Sequence, residues 1–394
     1  MNLDAMQAAL RELGMDGWLF YDHHHRDLIG ERILGLDPAA LVTRRWCYYL
    51  PAEGEPRKLA HRIEPGRLDA LPGAKTLYSS WRELAAGLEA MLSGAVTVAM
   101  QYSPNCDILS ISMADAGSVE FVRGLGKRVV SSADLVSRFE AVLTDEQRAS
   151  HAEAQKKLDA IVEDGWRFVA SRTRKTALSQ HQGLNEYEFA CWLREAMARE
   201  QLLWESGPDV SVNANSSDSH YEPTAAASAT IRKGDFLLVD IWARMNRPDT
   251  VFYDITWTGV VDREPSDREL EVFDTVIEAR DAAIAKVQAA FAAGRPIRGF
   301  EADDVARRVI KNAGFGEFFT HRTGHNIGRQ LHGAGANLDN LETHDERLLL
   351  PHTCFSVEPG IYLPQFGVRS EVNMMTAPGR AWVTGRIQRD LVRI

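Results

Sequence analysis

At 394 residues, 45% of them apolar and 25% charged, the chain can bury a large core, which excludes a peptide-scale or disordered polypeptide. Its 45 Lys+Arg against 55 Asp+Glu give a formal charge of −10 with no long basic cluster, so no nucleic acid is expected as a partner. No apolar run exceeds five residues, the opening segment is too charged for a signal peptide and the four cysteines form no CxxC, so a cytoplasmic protein without membrane spans or disulfides is expected.

From residue 1 to 143 short apolar strands alternate with helices. Residues 17–21 (GWLFY), 46–50 (WCYYL) and 96–100 (VTVAM) read as strands, and 81–92 carries apolar residues at helical spacing. This α/β pattern holds no chemical constellation. Thr144-Asp-Glu-Gln147 then reads as a capping box opening a long helix to about residue 173, and a second domain is expected over 144–394. Asn185-Glu-Tyr-Glu188 opens a helix expected to reach residue 203, and Ser266-Asp-Arg-Glu269 opens one reaching Gly294. A shorter helix, 302–313, stops at Gly314.

In each half of this domain a helix pair precedes two strands joined by a short turn. The first hairpin is expected over 235–243 and 250–260, the second over 353–363 and 368–376. Each carries two carboxylates: Asp240 and Asp254, 14 apart, then Glu358 and Glu371, 13 apart. Asp240 follows Phe-Leu-Leu-Val and Glu358 follows Cys-Phe-Ser-Val, contexts typical of strands buried on both faces. A buried carboxylate needs a cation or a proton. Any one of the four alone would read as a turn cap or an arginine partner. Two carboxylates 4 Å apart repel by roughly 4 kcal/mol at an effective dielectric near 20, so a cluster of four requires counter-charge, and a pair of divalent ions supplies it. His325, between Gly324 and Gly328, is the candidate neutral ligand.

These residues resemble the pita-bread metallopeptidases: methionine aminopeptidases, aminopeptidase P, prolidase and creatinase. Leu238-Val-Asp240, Tyr253-Asp-Ile-Thr256, Gly324-His-Asn-Ile-Gly328, Val357-Glu-Pro-Gly-Ile-Tyr362 and Gly367-Val-Arg-Ser-Glu371 match the family's metal motifs in order. Residues 1–143, with Leu59-Ala-His-Arg-Ile-Glu64, resemble the creatinase-like amino-terminal domain of prolidases. The resemblance implies an α+β pita-bread catalytic domain and an amino-terminal α/β domain. It implies Asp240, Asp254, His325, Glu358 and Glu371 as ligands of two divalent metal ions, Mn²⁺ first, with Co²⁺, Zn²⁺ or Fe²⁺ as alternatives. Glu358 would also be the general base of a metal-activated water, with His220 and His332 as catalytic substrate contacts.

The implied reaction is hydrolysis of the bond before proline in a small peptide, by a dipeptidase of prolidase type acting as a homodimer. The alternatives are an Xaa-Pro aminopeptidase on longer peptides or a peptide-binding relative without turnover. Three departures from the family pattern, Trp242, Trp257 and Gly333, bear on the substrate pocket, and the two aspartates stand three residues further apart than the family's usual 11. His23-His24-His25 reads as a loop, in a position where relatives reach a partner's active site. Cys354 reads as a packed thiol, and Arg369 either supports a ligand carboxylate or lies at the rim.

Overall fold

The computed structural model describes residues 1–178 and 183–394. The chain forms two compact units, Met1–Glu140 and Ala141–Ile394. The division precedes the 143/144 point read from the sequence because Leu143 belongs with the second unit. Its side chain packs beside Trp242 and Phe252, and its N–H donates to the His352 carbonyl at 2.8 Å.

In the first unit, β1 (Gly17–Asp22), β2 (Trp46–Pro51), β3 (Arg57–His61), β4 (Ala74–Tyr78), β5 (Thr97–Met100) and β6 (Arg128–Ser131) form one sheet in the order β4-β3-β2-β1-β5-β6. Only β2 runs against the others, so the remaining five strands end on one edge. The helices are α1 (Leu3–Glu12), α2 (Leu28–Leu34), α3 (Trp81–Met91), α4 (Ala116–Gly124) and α5 (Ala133–Val136). Leu84, Leu88 and Met91 of α3 and Val119 and Val122 of α4 pack on Leu19, Tyr49 and Leu59 of the sheet. The uninterrupted apolar run GWLFY suits a strand buried on both faces: Leu19 meets α3 and α4, while Trp18 and Phe20 are turned to the opposite side.

The second unit repeats one plan twice. Helices α6 (Asp145–Leu178) and α7 (Glu186–Arg199) precede β7 (Leu202–Leu203), β8 (Asp209–Val212), β9 (Phe236–Met245) and β10 (Tyr253–Val260). Helices α8 (Asp267–Ala292) and α9 (Gly299–Asn312) precede β11 (Asn326–Ile327), β12 (Cys354–Val357), β13 (Gly360–Leu363), β14 (Phe366–Arg369) and β15 (Val372–Ala377), with β16 (Arg380–Thr384) and β17 (Val392–Arg393) closing the chain. Each helix pair has its own core against its own strands: Leu158, Val162 and Phe189 on Val239 and Ile255, then Val276, Val287 and Ala306 on Val357 and Met374.

The caps read from the sequence form: Thr144 Oγ1 and Gln147 exchange backbone hydrogen bonds at 3.2 and 2.9 Å, and Asn185–Glu188 and Ser266–Glu269 are complete capping boxes. The α7 helix stops four residues before the expected 203, because Leu202 and Leu203 pair with Met245 and Arg244 of β9 instead. A ladder contact outcompetes one more helical turn there. Among the described residues no helix is long and apolar enough to cross a membrane.

Candidate metal centre

The two halves meet where β10 faces β15. Asn373 of β15 accepts the Asp254 N–H at 2.9 Å and donates to its carbonyl at 2.7 Å, and the Glu371 N–H donates to the Thr256 carbonyl at 3.2 Å. These bonds bring the carboxylate of one hairpin against that of the other. On β9 and β10, Asp240, Trp242, Asp254 and Thr256 share one face, because Asp254 is in register with Trp242 and Thr256 with Asp240. The long turn between the strands, including Asp249 at φ 59°, accommodates the extra residues without shifting that face.

His325 reaches the same place on a loop pressed against β12. A Cβ on Gly324 would lie 2.0 Å from the Ser356 carbonyl oxygen, so only glycine permits the approach. Ser356 Oγ accepts the His325 N–H at 2.9 Å and donates to Glu358 Oε1 at 2.9 Å. From the far side, the buried Arg280 of α8 donates to Ser370 Oγ at 2.7 Å and anchors the turn that carries Glu371.

All seven residues read from the sequence line one cavity of about 480 Å³: Asp240, Asp254, His325, Glu358 and Glu371, with His220 and His332 exposed at its rim. The tightest group is smaller. Donor atoms of Asp254, His325 and Glu371 lie within 4.8 Å of one another, all three residues buried. Glu358 stands beside them, its Oε1 3.3 Å from His325 Nε2, while Asp254 Oδ2 is 3.5 Å from that nitrogen. Asp240 is held by Arg369, whose Nη2 donates to Asp240 Oδ2. Arg369 therefore does not sit at the rim. Buried to 4% exposure, it also donates to Thr256 Oγ1 and Tyr362 Oη at 3.0 Å each, and Thr256 in turn donates to Glu371 Oε2 at 2.9 Å.

Three carboxylate oxygens, Asp240 Oδ1, Asp254 Oδ1 and Glu371 Oε1, are buried without a hydrogen-bond partner among the described residues. His325 Nδ1 faces the Asn326 carbonyl at 3.2 Å and so carries the proton, leaving the Nε2 lone pair aimed at oxygens that are themselves acceptors. Acceptors converging on acceptors call for a cation between them, and this donor set of hard oxygens and one imidazole fits divalent ions. Burial, then the neighbouring carboxylates, push Asp254 and Glu371 well above the ordinary carboxylate range in the ion-free chain. Burial would also raise Glu358, but His325, His321, Arg369 and Arg322 outweigh it and hold Glu358 below its usual value. His332 lies edge-on to His325 with ring centroids 4.3 Å apart; that ring first, then the partial desolvation of its imidazole at the cavity mouth, pushes it down to about 3.

The three sequence departures do not all touch this cavity. Trp242 lines it and packs against Gly207, whose missing Cβ makes room, since a Cβ there would fall 2.5 Å from the indole. Trp257 does not: it faces α6, with Arg386 5.6 Å above its ring. Gly333 is a packing requirement, because a Cβ would come within 2.2 Å of Asn326 Oδ1, which leaves no room for an acidic side chain. Cys354 is buried beside Trp242 and Met375.

Sequence reading missed Asp209 and Arg322, which line the cavity, and Tyr362, which holds two of its lining residues. Asp209 of β8 is in register with Asp240, and burial and Asp240 push its carboxyl up to about 8. Tyr362 bridges Arg369 and His321 Nε2, the latter at 2.7 Å. Arg322, half-buried in the wall, has no ion-pair partner for its guanidinium among the described residues; Glu342 accepts only its backbone N–H, at 3.2 Å. Its position three residues before His325 was the available signal.

Fold and site together define a class: a two-unit α+β protein whose larger unit closes, by internal repetition, over a buried carboxylate–imidazole centre for divalent ions. A profile of metallopeptidase family M24 matches residues 150–377, more than half of the chain, and the chain belongs to that family. It is 30% identical over 168 residues to the Xaa-Pro dipeptidase of Pyrococcus furiosus, a stretch covering 42% of this chain and only 44% of that one. It is 27% identical over 286 residues to the putative dipeptidase YkvY of Bacillus subtilis, covering 72% of this chain and 70% of that one. The crystal structure of dipeptidase PepE from Mycobacterium ulcerans shares the fold, at a TM-score of 0.72 and 23% identity, covering 99% of this chain and 96% of that one. The fold is the pita-bread arrangement that the motifs implied, with the α/β unit ahead of it.

Proposed function

We propose that the protein is a metal-dependent Xaa-Pro dipeptidase of prolidase type. Asp240, Asp254, His325, Glu358 and Glu371 would hold two divalent ions, Mn²⁺ first. The observation that carries this reading is the convergence of three partnerless carboxylate oxygens and an imidazole lone pair in one buried cluster. Ions bound there supply a Lewis acid and a water acidic enough to lose its proton near neutrality.

The chain's own residues do the rest. Glu358, held ionised by its cationic neighbours, takes the proton lost as the carbonyl carbon gains oxygen, and returns it to the proline nitrogen as the C–N bond breaks. Ser356 fixes one Glu358 oxygen, so the other is free to move the proton. His220 and His332, exposed at the rim, contact the substrate carbonyl and the proline residue. Arg322 favours a dipeptide over longer peptides: an unengaged guanidinium in an acid-rich cavity suits the free carboxylate that only a dipeptide presents one residue beyond the scissile bond. Trp242 and Leu331 give an apolar wall for the residue before proline. We further read the enzyme as a cytoplasmic homodimer.

Elemental analysis of active protein with matched rates on Ala-Pro and Ala-Pro-Gly tests the reading. Two ions per chain and faster cleavage of Ala-Pro are expected. Fewer than one ion in active protein refutes the dinuclear centre, and faster cleavage of the tripeptide assigns an aminopeptidase.

A further inference from the structure

The amino-terminal unit contains a cavity of about 860 Å³ that the peptidase reading leaves unused. It opens at the carboxyl ends of the parallel strands: Tyr21 and His23 at the end of β1, His61 at the end of β3, Tyr78 at the end of β4. In open α/β sheets that edge is where ligands enter, because the connecting helices begin there and turn their N-termini toward it. Here α3 and α4 both start at the rim.

One wall is cationic. Arg26, Arg44 and Arg45 line it, and among the described residues no carboxylate lies within ion-pair distance of their guanidinium groups; the Arg44 guanidinium donates to Thr43 Oγ1 and the Thr43 carbonyl, at 3.1 Å each, while its backbone N–H donates to Glu64 Oε2 at 3.2 Å. Asp115, the single carboxylate of the lining, is engaged by Ser118 N–H and Oγ at 3.0 and 2.7 Å. The lining also carries aromatic rings: Trp81 is 65% exposed, with the Arg82 guanidinium 4.4 Å over one face of its ring, Phe121 is 38% exposed, and Leu84 and Leu88 are buried. Among the described residues these three arginines lack an ion pair although the chain carries a net charge of −10, and exposed rings beside a hollow are unfavourable in water, so both features point to an occupant.

We propose that this cavity binds a small aromatic carboxylate, its ring between Trp81 and Phe121 and its anionic head on Arg44 and Arg45. The volume suits a ligand of drug size. Guanidinium–carboxylate bonds supply the specificity for charge, and the rings supply contact area.

The test titrates full-length, metal-loaded protein with 2-naphthoate and with neutral 2-naphthamide, by calorimetry and tryptophan fluorescence. Saturable binding of one naphthoate is expected, with the amide weaker by about tenfold or more. The R44Q/R45Q double variant and W81A should each lose about tenfold in affinity while retaining the wild-type far-UV circular dichroism and melting temperature, and R322Q should bind as wild type. Equal or absent binding of both compounds overturns the proposal, as does intact binding in R44Q/R45Q. Loss in R322Q instead would assign the signal to the metal cavity, and a changed oligomer mass in R44Q/R45Q would make the rim a subunit contact.

Discussion

Replacing Arg322 by glutamine removes the one arginine of the cavity that, among the described residues, is not already engaged, since Arg369 is committed to Asp240, Thr256 and Tyr362. The loop should survive, because Glu342 binds the backbone N–H of residue 322 and not its side chain. A hydrogen bond to an ionised partner is worth about 1.5–3 kcal/mol, so at ~1.4 kcal/mol per tenfold the variant should lose roughly 10- to 150-fold in kcat/KM on Ala-Pro. Most of the loss should appear in KM, since the carboxylate carries the same charge in ground and transition states. Alanyl-prolinamide has no terminal charge and should change by less than about threefold. Steady-state kinetics on the two substrates decide the matter. An equal loss on both would mean that the substitution disturbs the site generally, and no loss on Ala-Pro would remove Arg322 from substrate binding.

Glu358→Gln should lower kcat by about 10²–10⁴ while Asp254, His325 and Glu371 still retain metal, a separation that elemental analysis beside the rate assay would reveal. Gly333→Asp should lower the melting temperature, because its Cβ meets Asn326 Oδ1 at 2.2 Å and such overpacking costs about 1–3 kcal/mol. Asp27, buried in the amino-terminal unit, is pushed up to about 7 by burial. The folded chain therefore binds a proton that the unfolded chain releases near pH 4, and stability from this group falls as pH rises from about 4 to about 7. Asp27→Asn should flatten that slope, gaining on wild type toward pH 8 by up to a few kcal/mol at ~1.4 kcal/mol per unit; parallel melting curves from pH 4 to 8 that keep a constant offset would refute it.

Much of this protein was legible before any coordinates, and for one reason: the signals involved are local. Hydroxyl and amide caps at Thr144, Asn185 and Ser266 announce helix starts, and apolar runs such as FLLV announce buried strands, because each works within a turn or a ladder step. Asp240, Asp254 and Glu358 could be nominated the same way, since a carboxylate embedded in an apolar run is costly wherever the run folds, whereas His325 and Glu371 stood out through their motifs.

Contacts between distant segments were not legible. Nothing near residue 240 indicates that its counter-charge is Arg369, 129 positions away, or that Asp209 lies opposite it on β8. The same blindness made Trp257 look like a pocket residue, when strand alternation turns it toward α6, and made Gly333 look like a lost acid, when Asn326 fills the space. The amino-acid order alone determined which carboxylates are costly to bury, whereas strand register and the meeting of β10 with β15 decided which of them come together. That is because desolvation is a property of each residue's surroundings along the chain, while proximity is a property of the whole fold.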